Sequence, residues 1–242
     1  SLVGSEMCIR DSLDWGILVS AALVVPALLC AATLLLTETV EFALSLWRQR
    51  RVPDRLVPDG SHPFVSIHLP THNEPPLMVM QTLNALARLD YPNFEVIVLD
   101  NNTGDDSLWR PVQGHCRALG PKFRFYHIDN VKGFKAGALN LALELTSVRA
   151  EIVAVIDSDY QVAPDWLRSA MPAFQDPRVA LVQCPQDYRD ANSGRFKRWI
   201  FGEYAGFFHI GMVQRNYFNA VIQHGTMTLV RKDALKKVNQ RT

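Results

Sequence analysis

The sequence Glu151-Ile-Val-Ala-Val-Ile-Asp-Ser-Asp159 contains an apolar run that ends abruptly at two carboxylates. Such a run, without polar alternation, is typical of a parallel strand covered on both faces of its sheet. In open α/β sheets, ligands bind beyond the carboxyl ends of the strands. Because carboxylate oxygens suit Mg²⁺ and Mn²⁺, we expect Asp157 and Asp159 to face a divalent cation. The alternative is that they only cap the next helix or form an Asx turn.

Further apolar runs alternate with helical patterns on both sides of this strand. Strands are predicted at Phe64–Leu69, Phe94–Leu99, Phe123–His127, Ile152–Ile156, Val179–Gln183 and Met227–Arg231. Helices are predicted near Leu77–Leu89, Leu108–Leu119 and Ala136–Leu145, with a further helix started by Pro164-Asp165-Trp166. Regular alternation of this kind predicts an α/β fold with a doubly wound, mostly parallel sheet.

The composition is that of a chain able to bury a core, with 48% hydrophobic and 20% charged residues. Lys and Arg total 25 against 24 for Asp and Glu, so no general positive field favours nucleic acid as a partner. The cysteines lack the spacing of a metal site, which favours a reduced compartment. They are Cys8, Cys30, Cys116 and Cys184.

A long uncharged segment lies near the start of the chain, from Trp15 to Thr37. It exceeds the roughly 20 residues needed to cross a bilayer, so we predict one transmembrane helix, in which Pro26 is tolerable. Four arginines follow closely, and the positive-inside rule then places the rest of the chain in the cytoplasm, at the inner (cytoplasmic) membrane. They are Arg48, Arg50, Arg51 and Arg55.

These features divide the chain into four segments. Residues 1–12 resemble a non-native leader, and residues 13–51 form the predicted span with its basic flank. Residues 52–63, rich in Pro and Gly, are the predicted linker. Residues 64–242 form the predicted globular domain, which we expect to be truncated at its C-terminus.

The segment after Tyr188 is crowded with aromatic residues. Part of it has helical spacing, which favours a core helix for most of these side chains. The others are candidates for stacking on a sugar or touching a membrane, because aromatic rings combine an apolar face with a polar tip. The residues at helical spacing are Phe196, Ile200, Tyr204, Phe207, Phe208 and Gly211.

Polar groups follow each of the first four predicted strands. They lie in Pro70-Thr-His-Asn-Glu-Pro75, in Asp100-Asn-Asn102, between Asp129 and Lys135, and in Asp157-Ser-Asp159. The carboxyl ends of parallel strands meet at one edge, as a nucleotide site requires. Taken singly, each group could be no more than a turn former, a cap or a solvated side chain.

The ordered set of motifs resembles the family 2 membrane glycosyltransferases over about Phe64 to Val238. Within that family it is similar to cellulose synthase-like and bacterial β-glucan synthases, especially those making β-1,3-linked or cyclic glucans. The resemblance implies a GT-A-like nucleotide-diphospho-sugar transferase fold and inverting transfer from UDP-glucose to a glucan acceptor. The motifs are Pro70-Thr-His-Asn-Glu74, Val98-Leu-Asp100, Gly133-Phe-Lys-Ala-Gly-Ala-Leu-Asn140, Asp157-Ser-Asp159, Gln183-Cys-Pro-Gln186 and Gly225-Thr-Met-Thr-Leu-Val-Arg-Lys-Asp-Ala-Leu235.

The resemblance also implies roles for single residues at the nucleoside. Thr71, Glu74 and Asp100 would hold the uridine. His72 stands where cellulose synthases commonly have a Tyr that stacks near the base, a departure that changes the expected base contacts.

At the other end of the donor, Lys135 would meet the diphosphate. Asp157 and Asp159 would bind the nucleotide and its Mg²⁺ or Mn²⁺, which stabilises charge on the leaving UDP. The acceptor channel would lie near His224, Gly225 and Thr226.

Two motifs of the family do not occur in this sequence. They are a Thr-Glu-Asp type motif, whose Asp is the general base, and Gln-x-x-Arg-Trp at the acceptor end. We therefore expect no catalytic base within the chain, and an inactive fragment. The competing functions are a haloacid dehalogenase-like phosphotransferase and a non-catalytic nucleotide-binding α/β module.

Overall fold

The computed structural model describes residues 2–47 and 62–239 of the chain. The described residues form two compact units, one of residues 2–47 and 187–220, the other of residues 62–186 and 221–239. The four arginines after the predicted span and all of the predicted linker but His62 and Pro63 lie outside the described residues.

The second unit is built on one six-stranded sheet. Its strands are β1 (Val65–Thr71), β2 (Phe94–Asn101), β3 (Phe123–Ile128), β4 (Ile152–Val155), β5 (Leu181–Gln183) and β6 (Thr228–Arg231). The spatial order is β3-β2-β1-β4-β6-β5. The first four strands are parallel, and β6 runs antiparallel to β4 and β5. The predicted mostly parallel sheet is confirmed, with strand ends shifted by at most two residues.

The helices that connect these strands begin at local signals in the sequence. Pro76 occupies the first turn of α2 (Pro76–Ala87), where its missing N–H costs nothing. The Asp105 carboxylate accepts a hydrogen bond from the Ser107 amide at 2.8 Å and caps α3 (Asp106–Leu119), which is followed by Gly120 with φ 101°. The helices of this unit are α2 (Pro76–Ala87), α3 (Asp106–Leu119), α4 (Phe134–Leu145), α5 (Trp166–Ala170) and, after β6, α8 (Lys232–Asn239).

The core covers both faces of the central strands. Along β1, Val65, Ile67 and Leu69 belong to the larger apolar cluster, which α2 completes with Leu83 and Leu86. On the opposite face, a smaller cluster joins β2 to α4 through Ile97, Leu99, Ala138 and Ala142. Successive residues of a strand point to opposite faces of the sheet, and both faces are covered here. The strands are therefore continuous apolar runs in the sequence.

A buried polar network interrupts the smaller cluster. The Thr146 hydroxyl donates to the Ala142 carbonyl at 2.8 Å, so its oxygen accepts from the His68 Nε2–H at 2.8 Å. Burial, together with the smaller effect of the positive charges of Arg124 and Lys232, lowers the pKa of His68 to about 3. His68 is therefore neutral in the folded chain near neutral pH.

The first unit contains α1 (Leu2–Trp47), which passes through Pro26 and includes residues of the predicted leader. Its segment Trp15–Leu46 is long and apolar enough to cross a membrane, and it is the one such helix among the described residues. The unit also contains a short 3-10 helix (Ala191–Ser193) and a run of helix made of α6 (Arg195–Gly206), a π-helical turn (Phe207–Gly211) and α7 (Met212–Tyr217).

The prediction of a core helix after Tyr188 is wrong for α6. No side chain of α6 is buried, and Phe196 and Trp199 are 72% and 80% exposed. Burial begins only in the π-helical turn and α7, at Phe208 and Met212. Helical spacing predicted the helix at α6 correctly, but it did not indicate whether other parts of the chain cover that helix.

Candidate active site

The candidate site lies at the carboxyl edge of the sheet, where the strand order reverses. The chain moves outward from β1 through β2 to β3 and then returns to place β4 on the other side of β1. Such a switch point leaves a crevice between two strand ends, and ligands of open α/β sheets bind there. Thr71 ends β1 on one side of this crevice, and Asp157 follows β4 on the other.

One group of site residues surrounds Asp157. The Lys135 ammonium forms an ion pair with an Asp157 carboxylate oxygen, and both side chains are partly exposed. The Asp157 amide donates to the Thr226 hydroxyl at 3.0 Å. Gly225 is close as well, because a Cβ added to it would lie 3.8 Å from the Lys135 Nζ. Lys135, Asp157, Gly225 and Thr226, drawn from the predicted diphosphate, metal and acceptor residues, therefore lie together at this end of the crevice.

The loop between the two predicted metal ligands, Asp157 and Asp159, is fixed by a hydrogen bond to α2. Ser158 is buried, and its carbonyl accepts a hydrogen bond from the Thr82 hydroxyl of α2 at 2.7 Å. Asp159 is exposed beyond it. Ser158 therefore fixes this loop to α2, with the partly exposed Asp157 before it and the exposed Asp159 after it.

A second group surrounds Asp100, which is only 3% exposed. One of its carboxylate oxygens accepts from the hydroxyls of Thr71 at 3.0 Å and Thr103 at 2.8 Å. The other oxygen accepts from the His127 Nδ1–H at 2.7 Å. The His127 ring is stacked on Trp109, with ring centroids 4.2 Å apart and planes 12° apart. Sequence reasoning did not single out Thr103, His127 or Trp109.

The remaining predicted nucleoside residues lie in the loop after β1. The His72 Nδ1–H donates to the Asn101 carbonyl at 2.6 Å, and the other ring nitrogen accepts from the side-chain Nδ2–H of Asn73 at 3.1 Å. His72 is exposed and Glu74 is half-buried. Both ring nitrogens of His72 are thus engaged by the protein, so a base would meet its ring face.

Backbone geometry fixes the loop that carries Lys135. The Asn102 side chain donates to the Val131 carbonyl and accepts from the Val131 amide, both at 2.9 Å. Gly133 caps α4 with φ 86°. A Cβ on Gly137 would lie 1.8 Å from the Lys132 carbonyl oxygen, so the loop passes where only glycine leaves room.

Gln183 braces the predicted acceptor segment. Its side-chain oxygen accepts from the Thr228 hydroxyl at 2.7 Å and the His224 amide at 3.1 Å. Its amide nitrogen donates to the Thr226 carbonyl at 3.0 Å. Because β6 is antiparallel to its neighbours, the residues that precede it return to the carboxyl edge beside Asp157. The sequence motif contained Gln183, but only the topology reveals this bracing contact.

The carboxylates at this edge fit a divalent cation. Among the described residues, no group of three or more His, Cys, Asp or Glu side chains is placed to hold a metal. Mg²⁺ and Mn²⁺ are commonly held by one or two carboxylates together with phosphate oxygens of the substrate. Asp157 and Asp159 are the candidates for such a pair, and the Lys135 ammonium lies beside Asp157.

The sequence of this region matches a known family. Residues 66–238 match the sequence model described as "Glycosyl transferase family 2". The chain belongs to glycosyl transferase family 2. This membership establishes a nucleotide-sugar-dependent glycosyltransferase domain, as predicted, and does not favour the haloacid dehalogenase-like alternative.

Curated relatives are similar to part of this chain. A Beta-monoglucosyldiacylglycerol synthase of Trichormus variabilis (strain ATCC 29413 / PCC 7937) is 38% identical over 127 residues, which are 51% of this chain and 26% of that protein. The Cellulose synthase catalytic subunit [UDP-forming] of Pseudomonas fluorescens (strain SBW25) is 29% identical over 208 residues, which are 81% of this chain and 26% of that protein. The chain thus spans about a quarter of the length of these relatives.

A solved structure shares the fold. The mannosyltransferase PcManGT from Pyrobaculum calidifontis, in complex with GDP-Man and Mn²⁺, superposes with a TM-score of 0.55 at 22% identity. The match covers 86% of this chain and 57% of that one. The predicted GT-A-like arrangement is therefore confirmed for this family 2 domain.

Proposed function

We propose that the chain is the donor-binding part of a membrane-anchored, inverting glycosyltransferase that uses UDP-glucose to build a β-glucan of the β-1,3-linked or cyclic kind. The observation that carries the proposal is the pair of polar groups around Asp100 and Asp157 at one switch point. The similarity to a UDP-forming cellulose synthase subunit supports UDP as the nucleotide. GDP-mannose, present in the complex of the structurally similar mannosyltransferase, is the competing donor.

The group around Asp100 is suited to the nucleoside. A carboxylate has about four lone-pair sites, and three hydrogen bonds from Thr71, Thr103 and His127 leave one for a ligand donor such as a base N–H. The three protein donors fix the direction of that remaining lone pair. We assign Thr71, Glu74 and Asp100 to the uridine and the ring face of His72 to the base.

The group around Asp157 is suited to the diphosphate. Breaking the bond between sugar and phosphate leaves negative charge on UDP, which a fixed ammonium group stabilises. We assign this role to Lys135, whose ammonium already lies beside Asp157. Asp157 and Asp159 would hold Mg²⁺ or Mn²⁺, and the bound cation would stabilise the same charge. The acceptor would approach past His224, Gly225 and Thr226.

The anchoring part of the proposal rests on α1. Its uncharged run is long enough to cross a bilayer, and the arginines at 48, 50, 51 and 55 follow it. We propose residues 13–51 as the span with its flank, residues 52–63 as the linker and residues 64–242 as the transferase domain, facing cytosolic UDP-sugar.

Calorimetry tests donor binding. The chain in detergent should bind UDP with Mg²⁺ or Mn²⁺ present and lose at least about tenfold in affinity when a chelator is added, or when Asp157→Asn removes one metal ligand. The matched control is Asp90→Asn, because Asp90 is an exposed carboxylate paired with Arg168. Equal binding by the chelated and metal-loaded chain would overturn the metal role.

Competition with nucleotide sugars tests the donor. UDP-glucose should displace labelled UDP at lower concentrations than GDP-mannose does. The reverse order would replace UDP-glucose with GDP-mannose as the donor and leave the metal role intact.

A further inference from the structure

Three side chains lie in one row across the strands β1, β2 and β3. Asp100 is near the end of β2, and its register partners are Thr71 on β1 and His127 on β3. Because side chains alternate between the two faces of each strand, residues paired in register can share one face of the sheet. The hydrogen bonds from Thr71 and His127 to the Asp100 carboxylate show that these three do so. Strand pairing therefore sets the position of both neighbours of Asp100.

The imidazole of His127 is fixed from several sides. Its Nδ1–H donates to Asp100, and its other ring nitrogen lies 3.6 Å from a carboxylate oxygen of Asp129. Its ring face is stacked on Trp109, which belongs to α3, the helix that connects β2 to β3. His127 therefore cannot turn away from Asp100 without losing the stacked contact.

Hydrogen bonds from the protein use most of the acceptor capacity of Asp100. Each oxygen of a carboxylate has two lone pairs. The hydroxyls of Thr71 and Thr103 occupy both lone pairs on one oxygen. His127 occupies one of the two on the other oxygen. Asp100 can therefore accept one further hydrogen bond, on the oxygen that His127 contacts.

Nucleobases differ in the number of donors that they would bring to this carboxylate. Uracil has one ring N–H, at N3, and hypoxanthine has one, at N1. Guanine carries the N1–H and, directly beside it, an amino group at N2. A buried donor without an acceptor lowers affinity, and a site built for a particular set of hydrogen bonds rejects a ligand that cannot match it. With His127 in place, guanine would bury an N–H that Asp100 cannot accept.

We propose that His127 determines the base specificity of the nucleoside site. It is a positioning residue: by occupying one lone pair of Asp100, it limits the carboxylate to a base with a single donor, and so favours uracil over guanine. This inference rests on the donor site proposed above, and it gives a physical reason for the preference of UDP over the competing GDP donor.

Competition between nucleoside diphosphates tests the number of donors. Labelled UDP bound to the full chain in detergent with Mg²⁺ would be displaced by IDP or by GDP. These two purines differ only in the N2 amino group, so the ratio of their affinities reports the second donor and not the size of the base. IDP should bind at least about fivefold more tightly than GDP, because one N–H of guanine is left unpaired. Equal affinities would mean that base size sets the specificity, and would overturn the inference.

Two variants at position 127 test the imidazole itself. His127→Phe retains a ring beside Trp109 but lacks the N–H, which gives Asp100 a second acceptor site, so the preference for IDP should disappear. His127→Gln retains an N–H and should retain the preference. The matched control is His115→Phe, because His115 of α3 is hydrogen-bonded to Asn84 instead of Asp100. An unchanged preference for IDP in His127→Phe would reject the role of His127.

The ratio separates specificity from stability. A variant that only loosens the site weakens IDP and GDP alike and leaves their ratio unchanged. If His127→Phe does not fold, Thr103→Val removes another donor to the same carboxylate, and an unchanged ratio there would overturn the inference. UDP binding together with equal IDP and GDP affinities would retain the proposed donor site and reject only the base selection. A chain that binds no UDP even with metal would reject the donor site, and the inference with it.

Discussion

Asp100 is buried and accepts hydrogen bonds from three donors, and His127 is the donor to the carboxylate oxygen that Thr71 and Thr103 do not contact. A buried carboxylate that loses a donor bears the full cost of desolvation at that oxygen. His127 is also stacked on Trp109, so ring packing and hydrogen bonding both act through one side chain. A variant that retains the hydrogen bond but loses the stacked ring separates these two contributions to stability.

His127→Ala should lower the free energy of unfolding by about 1–3 kcal/mol, because it removes the protein donor to one carboxylate oxygen of Asp100. His127→Gln also loses the stacked ring but retains an N–H that can reach the carboxylate, so it should be less destabilising. Urea unfolding followed by Trp fluorescence measures the difference. Equal losses would show that stacking, rather than the hydrogen bond, stabilises this corner of the site.

His68 makes the stability of the chain depend on pH. Its pKa is about 3 in the folded chain against an ordinary 6.5, so below pH 6.5 the unfolded chain binds a proton that the folded chain does not. Stability is fully present above pH 6.5 and falls by up to about 1.4 kcal/mol per pH unit toward the folded pKa. His68→Gln should flatten this slope between about pH 6 and pH 4.5, as measured by urea unfolding at each pH. An unchanged slope in the variant would assign the pH dependence to other groups.

At the scale of elements, α4 begins where the loop from β3 crosses its first turn. Gly133 takes a left-handed conformation and Gly137 lies directly under the Lys132 carbonyl. The position of Lys135, between these glycines, therefore depends on how tightly this turn can close. A side chain at position 137 must displace either the loop or the helix.

Gly137→Ala should destabilise the chain and weaken UDP binding, because its Cβ would meet backbone at a distance that real atoms do not adopt. The matched control is Gly114→Ala in α3, where nothing lies within 4 Å of the added atom. That change should be neutral or stabilising by up to about 1 kcal/mol, since Ala is the better helix former. Thermal unfolding and UDP titration of both variants test the contrast. Undiminished binding by Gly137→Ala would mean that the loop moves without consequence for Lys135.

On the scale of the whole molecule, the membrane orientation proposed above rests on α1 and on the four arginines that follow it, Arg48, Arg50, Arg51 and Arg55. Basic residues flanking a span remain on the cytoplasmic side. The donor proposed above, UDP-glucose, is cytosolic, so the proposed orientation places the transferase domain on the side of the membrane where its donor is found.

A reporter fused directly after Arg55 should therefore behave as cytoplasmic. Alkaline phosphatase, which is active only outside the cytoplasm, should be inactive there, and a fluorescent protein that folds in the cytoplasm should be bright. Removing the four arginines should reduce this bias. Strong phosphatase activity at this point in the unmodified chain would reverse the proposed orientation and deny the site access to cytosolic donor.

The amino-acid sequence by itself determined the sheet, because runs such as Ile152–Ile156 are apolar throughout, as is typical of strands buried on both faces. It also marked helix ends locally, at Pro76, Asp105 and Gly120. It also indicated Asp157 and Lys135, since strand ends of a parallel sheet share an edge. Only the tertiary structure decided that His127 supports Asp100, that Gln183 braces Thr226, and that α6 is exposed. These contacts join residues far apart in the chain, and no local period or spacing encodes which distant side chain will cover a face or supply a hydrogen bond.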